Sequence, residues 1–272
     1  VRRRRLPRLA CRPRRPDPAQ RLGRGQRRPD GGRRGQGRGH LLGRRDLAQG
    51  FPDGDALPTA RLIAVIESVV RATRVPVSAD IEGGYTDDLG DLSETIRKVI
   101  GAGAVGINLE DGTRAPDLHA RKLAAARAAA EAEGVDLYIN ARTDIYLAKL
   151  AEGEAALSET LRRAALYLGA GASGVFVPGP VDAVLIGDLA QAIPAPLNVM
   201  LRPGALPAER LASLRVRRLS SATAPFRAAY GALVEALPAY LETGTFDSFA
   251  GRATLPDLDG VFGGAPRRKI TR

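Results

Sequence analysis

Between residues 59 and 243 the sequence alternates between short apolar runs and longer stretches whose apolar residues recur at helical spacing. Six of the runs have the length and composition of buried strands, and a helical stretch precedes the first run and follows each one. Strands that alternate with helices in this way predict a parallel sheet with right-handed crossovers. The predicted strands lie at residues 75–80, 105–111, 135–144, 174–179, 195–200 and 216–221.

The length of the chain points to one particular α/β fold. A (β/α)8 barrel of the TIM type needs about 250 residues and eight strands, and this chain has 272 residues. Since six strands are predicted, the first one or two strands of the barrel are expected to be missing or disordered. An open doubly wound sheet is the alternative. No glycine-rich phosphate loop follows the first predicted strand, which argues against the dinucleotide-binding form of that sheet.

Residues 1–50 differ sharply from the rest of the chain. They contain 17 Arg, 3 Asp and no Lys, a charge of +14, so the net charge of +11 leaves −3 for the remaining 222 residues. The segment is rich in Gly and Pro, and its only β-branched residue is Val1, so neither a buried strand nor a stable helix is expected there. We predict that residues 1–50 are disordered, that residues 51–245 form the barrel, and that residues 246–272 form a helical segment and a basic tail.

Three interpretations of the arginine-rich segment compete. A basic disordered arm would bind nucleic acid through its phosphates, but this one lacks aromatic residues for base stacking. An organelle-targeting peptide would normally be rich in Ser, which is absent here. The third interpretation is a GC-rich gene translated out of frame. Reading residues 32–42 one base later, with GC-rich codons, gives an Ala-Thr-Ser-Ser strand end, and this interpretation is the one we favour.

Composition excludes several classes of protein. No run of 18 apolar residues is present, so a membrane span is not expected. The single cysteine, Cys11, excludes an intramolecular disulfide framework and a cysteine zinc cluster. With only His40 and His119, a histidine metal site or a serine-hydrolase triad is not expected, and His119 is interpreted as a surface or capping residue. The mildly acidic remainder is typical of a cytoplasmic enzyme.

Polar side chains gather where the predicted strands end. Asp80 and Glu82 follow the first strand, Glu110 ends the second, Arg142 ends the third, and Asn198 lies in the fifth. Chemistry in a barrel of this type takes place at the carboxyl ends of the strands. Alternation along a strand would place the side chains of Asp80 and Glu82 on the same side. These residues are therefore the candidate site.

Three carboxylates that converge from adjacent strands need a compensating cation. Oxygen ligands without His or Cys favour Mg²⁺ or Mn²⁺, so Asp80, Glu82 and Glu110 are candidate metal ligands. Arg142 beside them would pair with a substrate carboxylate through a bidentate contact. A buried structural network of Asp80, Glu110 and Arg142 would explain the same spacing, and both interpretations remain open at this point.

Several motifs in this order resemble one known family. The segments are ADIEGGY, GINLEDG, YINARTD, FVPG and PLNVM, preceded by FPDGDALP at residues 51–58. Together they resemble the isocitrate lyase/phosphoenolpyruvate mutase superfamily, in particular its phosphonomutase-like branch. The resemblance covers about residues 51–245, and it is specific because the five motifs at strand ends occur in combination.

This resemblance implies a fold, an activity and roles for residues. The fold is a (β/α)8 barrel whose last helix is often exchanged between subunits, so a homo-oligomer is expected. The activity is Mg²⁺-dependent lyase or phosphonomutase chemistry, at a C–C or P–C bond of a small α-keto or α-hydroxy acid. Asp80, Glu82 and Glu110 resemble the metal-site acids, with Mn²⁺ as the alternative ion. Arg142 resembles the arginine that binds the substrate carboxylate, Asn198 resembles a catalytic pocket residue, and Tyr85 is expected to line the pocket.

Two departures from the family pattern keep other functions open. The loop at 112–122 lacks both the Lys-x-Cys-Gly-His motif of the lyases and the Lys and Asn-Ser residues of the mutases, so the bond type is not fixed. Residues 1–50 contain no counterpart of the family's first two strands. The alternatives are a catalytically inactive truncated barrel and a nucleic-acid binder that acts through the basic arm.

Overall fold

The structure is a computed structural model that describes residues 40–42 and 48–250. All of these residues belong to one compact unit. The expectations for residues 1–39 and for the tail after residue 250 lie outside the described residues.

A parallel sheet of seven strands forms the centre of the described chain. The strands follow chain order, and each pairs in parallel with the next, as the alternation of apolar runs and helices predicts. The α/β class is thereby confirmed. The strands are β1 His40–Leu42, β2 Val77–Asp80, β3 Gly106–Glu110, β4 Tyr138–Arg142, β5 Gly174–Val177, β6 Leu197–Met200 and β7 Val216–Ser220.

Strand β1 corrects the expectation that no strand forms before residue 50. Its three residues pair with β2, with His40 opposite Val77 and Leu42 opposite Ala79. The amino-acid composition could not predict strand β1, because the hydrogen bonds between strands join backbone groups. The unpaired backbone groups at the edge of β2 can pair with a neighbouring segment whatever its side chains are. Among the described residues no pairing joins β7 to β1, and the seven strands form a partial TIM-type barrel.

Helices follow the strands on one side of the sheet. Two of them have clear N-terminal caps, since the Asp88 carboxylate accepts the Asp91 N–H and the Asp182 carboxylate accepts two N–H groups at the start of its helix. The helices are α1 Thr59–Ala72, α2 Leu89–Gly101, α3 Pro116–Ala132, α4 Gly153–Gly169, α5 Ala183–Ala192, α6 Ala208–Ser213 and α7 Ala224–Thr243, with a final 3₁₀ turn at Asp247–Phe249.

The two faces of the sheet differ in polarity. On the outer face, strand residues such as Ile107 and Leu109 are fully buried in an apolar core with the helices. On the inner face, polar side chains such as Asn108, Asn140 and Asn198 are buried instead, and the Asn140 Nδ2 donates to the Asn108 Oδ1 at 2.8 Å. The inner face therefore differs from the packed apolar interior that is usual for a barrel of this type.

Helix α7 is the least buried of the helices. Its apolar side chains are largely exposed, with Val234 66% and Leu241 72% accessible, and Ala236 is its single buried residue. It has 20 residues, yet neither α7 nor any other helix in the described part of the chain is long and apolar enough to cross a membrane.

Candidate active site

The register of the sheet brings two predicted site residues into contact. Glu110 at the end of β3 lies opposite Arg142 at the end of β4. Their side chains form an ion pair, with 2.5 Å between the Arg142 Nη1 and the Glu110 Oε2. Asp80 ends the neighbouring strand β2, and its carboxylate lies close enough to act electrostatically on Glu110. The carboxyl ends of β2, β3 and β4 thus meet at one edge, as expected for a barrel mouth.

Arg142 is held in a fixed orientation. Asp144 accepts from its Nε at 2.6 Å and from its Nη2 at 2.9 Å, while Glu110 pairs with its Nη1. Burial by itself would lower the pKa of Arg142, but Glu110 and Asp144 outweigh burial and raise that pKa. A guanidinium has five N–H donors, and the contacts with Asp144 and Glu110 among the described residues involve Nε, Nη1 and Nη2. The predicted role of Arg142 in binding a substrate carboxylate stays a prediction.

Several carboxylates act on Glu110. Burial above all raises the pKa of Glu110 to about 8, the carboxylates of Asp80, Asp144 and Asp53 act in the same direction, and Arg142 acts against them. Four acids therefore influence one another at this end of the strands. A group of carboxylates in this balance favours either a proton or a bound cation.

The donor chemistry fits Mg²⁺ in a partly hydrated form. Among the described residues there is no group of three or more His, Cys, Asp or Glu side chains arranged to hold a metal by themselves. Mg²⁺, however, is usually bound by one or two carboxylates and completes its shell with water and substrate oxygens. Asp80 and Glu110 supply that minimum. The predicted metal roles of Asp80, Glu82 and Glu110 stay predictions.

Glu82 lies beyond the strand from which its orientation was predicted. Strand β2 ends at Asp80, and Glu82 has a left-handed backbone with φ 50°, so the alternation of strand side chains does not extend to it. Its buried carboxylate accepts the N–H groups of Gly54 and Asp55 and the hydroxyl of Tyr85, the last at 3.3 Å. Glu82 therefore anchors the loop before α1, and the predicted pocket residue Tyr85 lies beside it.

Arg114 ties together the loops around the mouth. Its Nη2 lies 2.7 Å from the Asp55 carboxylate, and its Nε lies 2.8 Å from the Asp87 carboxylate. Lys122 has a fully buried side chain, and its Nζ donates to the same Asp87 at 2.8 Å. A Cβ at Gly83 would overlap the Arg114 guanidinium. Sequence analysis missed this arrangement, because Asp55, Asp87 and Arg114 lie on three separate loops, Lys122 lies in α3, and no motif links them.

A second buried network lies behind β3 and β4. Asp111 is fully buried, and its Oδ2 accepts from the Arg163 Nη1 at 2.7 Å and from the Tyr167 hydroxyl at 2.6 Å. His119 packs edge-on against Tyr167 with 4.6 Å between ring centroids. The expectation that His119 is a surface or capping residue is wrong, since its side chain is fully buried and burial lowers its pKa to about 4. The one available signal was the spacing of Arg163 and Tyr167, four residues apart on one helix face.

Asn198 lies inside the barrel on β6. It is 1% exposed, and within the described part of the chain neither its Oδ1 nor its Nδ2 has a hydrogen-bond partner. Its neighbour across the sheet is Arg218 on β7, whose guanidinium lies 4.7 Å from the centre of the Tyr138 ring. A buried amide without partners is costly, so Asn198 is a candidate position for contact with a ligand or a water molecule. Its predicted pocket role stays a prediction.

The comparisons with known proteins decide the family. Residues 47–241 match the family model described as phosphoenolpyruvate phosphomutase. The chain belongs to the phosphoenolpyruvate mutase family. The resemblance read from the motifs at the strand ends is thereby confirmed, and with it membership of a family of lyases and mutases.

Similar sequences within the family carry several descriptions. An uncharacterized protein of Mycobacterium tuberculosis is 32% identical over 66% of this chain and 66% of its own length. Oxaloacetate decarboxylases from Pseudomonas entomophila and Rhodopseudomonas palustris are 31% and 28% identical, over 67% and 78% of this chain and 66% and 75% of their own lengths. This chain therefore spans just under two thirds of the length of some of these relatives.

Solved structures agree with the fold. A candidate phosphonomutase from Burkholderia cenocepacia is 40% identical with a TM-score of 0.70, over 73% of this chain and 84% of that chain. A candidate lyase/mutase from the same organism is 33% identical with a TM-score of 0.73, over 84% of both chains.

Proposed function

We propose that this member of the phosphoenolpyruvate mutase family is a Mg²⁺-dependent lyase or phosphonomutase-type enzyme acting on a small α-keto or α-hydroxy acid. The observation that carries the proposal is the state of Arg142. Glu110 and Asp144 fix its guanidinium at the carboxyl ends of β3 and β4, and among the described residues these contacts use three of its five N–H donors. Relatives described as oxaloacetate decarboxylases and a candidate phosphonomutase support the same class of substrate.

Each residue of the site has a specific task in this proposal. Arg142 binds the substrate carboxylate next to the carbonyl group and so fixes the plane of the substrate. Asp80 and Glu110 would hold the ion on the carbonyl side, where the Asp80 carboxylate lies close enough to raise the pKa of Glu110. A bound Mg²⁺ would stabilise the negative charge that develops on the carbonyl oxygen. Asn198 would offer its unpaired amide to another oxygen of the substrate.

Oxaloacetate is the substrate to test first. The loop at 112–122 contains no cysteine that could serve as an acid, and decarboxylation requires none during bond cleavage. The bond between the methylene carbon and the distal carboxyl breaks, and CO₂ leaves. The electron pair moves onto the carbonyl oxygen as an enolate, and a proton from water then completes pyruvate.

A substrate screen with purified protein tests the proposal. We expect turnover of at least one of oxaloacetate, isocitrate, methylisocitrate and phosphonopyruvate with Mg²⁺, and loss of that turnover with EDTA. Oxalate with Mg²⁺ should also raise the melting temperature, because it binds the folded state alone. No turnover and no shift would overturn the proposal in favour of an inactive truncated barrel.

We also propose that the protein acts as a homo-oligomer. The exposed apolar side chains of α7 support this, since a contiguous apolar helix face in a functional protein is usually covered by a partner. Sedimentation of the native protein beside the Val234→Glu and Leu241→Glu variants tests it. A smaller species for the two variants is expected, and a monomer for the native protein would refute it.

A further inference from the structure

We infer that Asp111 is a positioning residue for Arg142. Side chains of helix α4 hold Asp111, and Asp111 in turn fixes the orientation of Arg142. The inference rests on the proposed function, because it assigns Asp111 a role in carboxylate binding by Arg142. Asp111 itself is buried and has no contact with the open edge of the Arg142 guanidinium among the described residues.

Asp111 is bound to the end of β4 at two points. Its backbone N–H donates to the carbonyl oxygen of Arg142 at 3.1 Å. Its Oδ1 accepts the backbone N–H of Asp144 at 2.9 Å. These two contacts hold the segment that contains both Arg142 and Asp144, whose carboxylate binds the Arg142 guanidinium. Movement of Asp111 would therefore move both residues.

Helix α4 fixes the other oxygen of Asp111. The Arg163 Nη1 and the Tyr167 hydroxyl both donate to Oδ2, at 2.7 and 2.6 Å. Arg163 is itself oriented by Glu159, whose carboxylate lies 2.8 Å from the Arg163 Nε. A buried carboxylate with three donors is rigid, because losing any donor would leave charge unpaired in a medium of low dielectric.

Asp111 is connected to the Arg142 guanidinium through Asp144. Asp111 fixes the backbone of Asp144, and the carboxylate of Asp144 holds the Nε and Nη2 of Arg142. Substrate binding by a bidentate fork depends on its angle, and a misplacement of about 1 Å can cost about 100-fold in rate. Asp111 would therefore change the affinity of Arg142 for a substrate carboxylate without contacting the substrate itself.

The Asp111→Asn variant tests this role with little change in shape. An amide presents one oxygen and one NH₂ group, so it can accept from Asp144 or from Arg163 and Tyr167, but not from both sides at once. With oxalate and Mg²⁺ as the probe in calorimetry, we expect about 10- to 100-fold weaker binding, the range found for partners that orient a ligating group. Tyr167→Phe, which removes one donor, should weaken oxalate in the same direction by less.

Ser173→Ala is the matched control. Ser173 accepts the N–H of Ile139 and a donor of Arg127 near the amino ends of the strands, far from the candidate site. Its loss should lower the melting temperature and leave the oxalate dissociation constant within about 2-fold of wild type. Because Tyr167→Phe keeps the ring and its packing, it decides the matter if Asp111→Asn fails to fold.

A double-mutant cycle separates positioning from general destabilisation. If Asp111 acts through Arg142, Asp111→Asn should cost little additional oxalate affinity in an Arg142→Lys background. An equal cost in both backgrounds would overturn the inference, as would unchanged oxalate binding by both Asp111→Asn and Tyr167→Phe. Failure of the wild-type protein to bind oxalate would instead overturn the proposed function, and this inference with it.

Discussion

The carboxyl ends of β2 to β4 differ from the region between β6 and α7 in how polar and apolar side chains are accommodated. Around β3 and β4, charged side chains are buried but paired, as with Glu110 and Arg142 or Asp111 and Arg163. Around β6 and α7, Asn198 is buried without a hydrogen-bond partner among the described residues, and the apolar face of α7 is exposed. In the first region the described side chains satisfy one another, whereas in the second region polar and apolar groups lie without partners among the described residues.

This difference indicates where each kind of function is located. Groups that are already paired can orient a ligand with little further rearrangement, since their geometry is fixed before binding. Groups that lack partners instead mark where a ligand or a second subunit contributes stability. Variants in the two regions should therefore respond differently, and four predictions follow this contrast from the largest expected effect to the smallest.

Replacing Arg142 by Met should have the largest effect. It removes the fork that binds the carboxylate, and we expect kcat/KM to fall by at least about 100-fold. Steady-state kinetics on the substrate found in the screen is the measurement. Arg202→Met is the control, because Arg202 is an exposed arginine that follows β6 and makes one long hydrogen bond to Gly179 at 3.4 Å. Equal losses in both variants would mean that Arg142 has no special role.

Among these variants, Asp111→Ala should cause the largest decrease in the free energy of unfolding. It leaves the Arg163 guanidinium buried without its inner partner, and breaking a buried pair in this way costs about 3 kcal/mol in the free energy of unfolding. Urea denaturation followed by circular dichroism measures it. Replacing Asp182, which caps α5 in the second region, by Ala should cost about 1 kcal/mol. A larger loss at Asp182 would reverse the contrast between the two regions.

His119 should make the stability of the protein depend on pH. Burial lowers its folded pKa to about 4, whereas the unfolded value is about 6.5. Between these values the unfolded state binds the extra proton, so stability falls as the pH drops from 6.5 to 4, by at most about 3 kcal/mol. His119→Leu should lose this part of the pH dependence in urea titrations at pH 7 and pH 4.5. An unchanged slope would show that His119 already carries the proton in the folded state.

Replacing Asn198 by Leu should have the smallest effect on stability and the opposite sign to the others. Because both amide atoms of Asn198 lack partners among the residues that the structure describes, an apolar side chain of similar size should be neutral or stabilising by about 1 kcal/mol. Asn140→Leu, which removes the hydrogen bond to Asn108, should destabilise by a similar amount. Thermal melts compare the two. A loss of turnover by Asn198→Leu together with a higher melting temperature would mark Asn198 as functional.

The order of the strands and helices could be predicted from the sequence. The buried contacts that hold the candidate site residues in place could not. Strand and helix alternation is a local property, so β2 to β7 follow from apolar runs. Strand β1 could not be predicted because its pairing partner, rather than its composition, makes it a strand. Glu110 and Arg142 could be paired because parallel strand ends meet, whereas Asp111 and Arg163 are 52 residues apart and meet through packing of α4 alone.

The guanidinium of Arg114 occupies the volume where residue 83 would carry its first side-chain carbon. A methyl group at Gly83 would overlap the guanidinium and the Asp55 carboxylate, so Arg114 would have to move, and its ion pairs with Asp55 and Asp87 would be disturbed together. These two positions should therefore change jointly during evolution. A descendant that acquires a side chain at position 83 should also have given up the arginine.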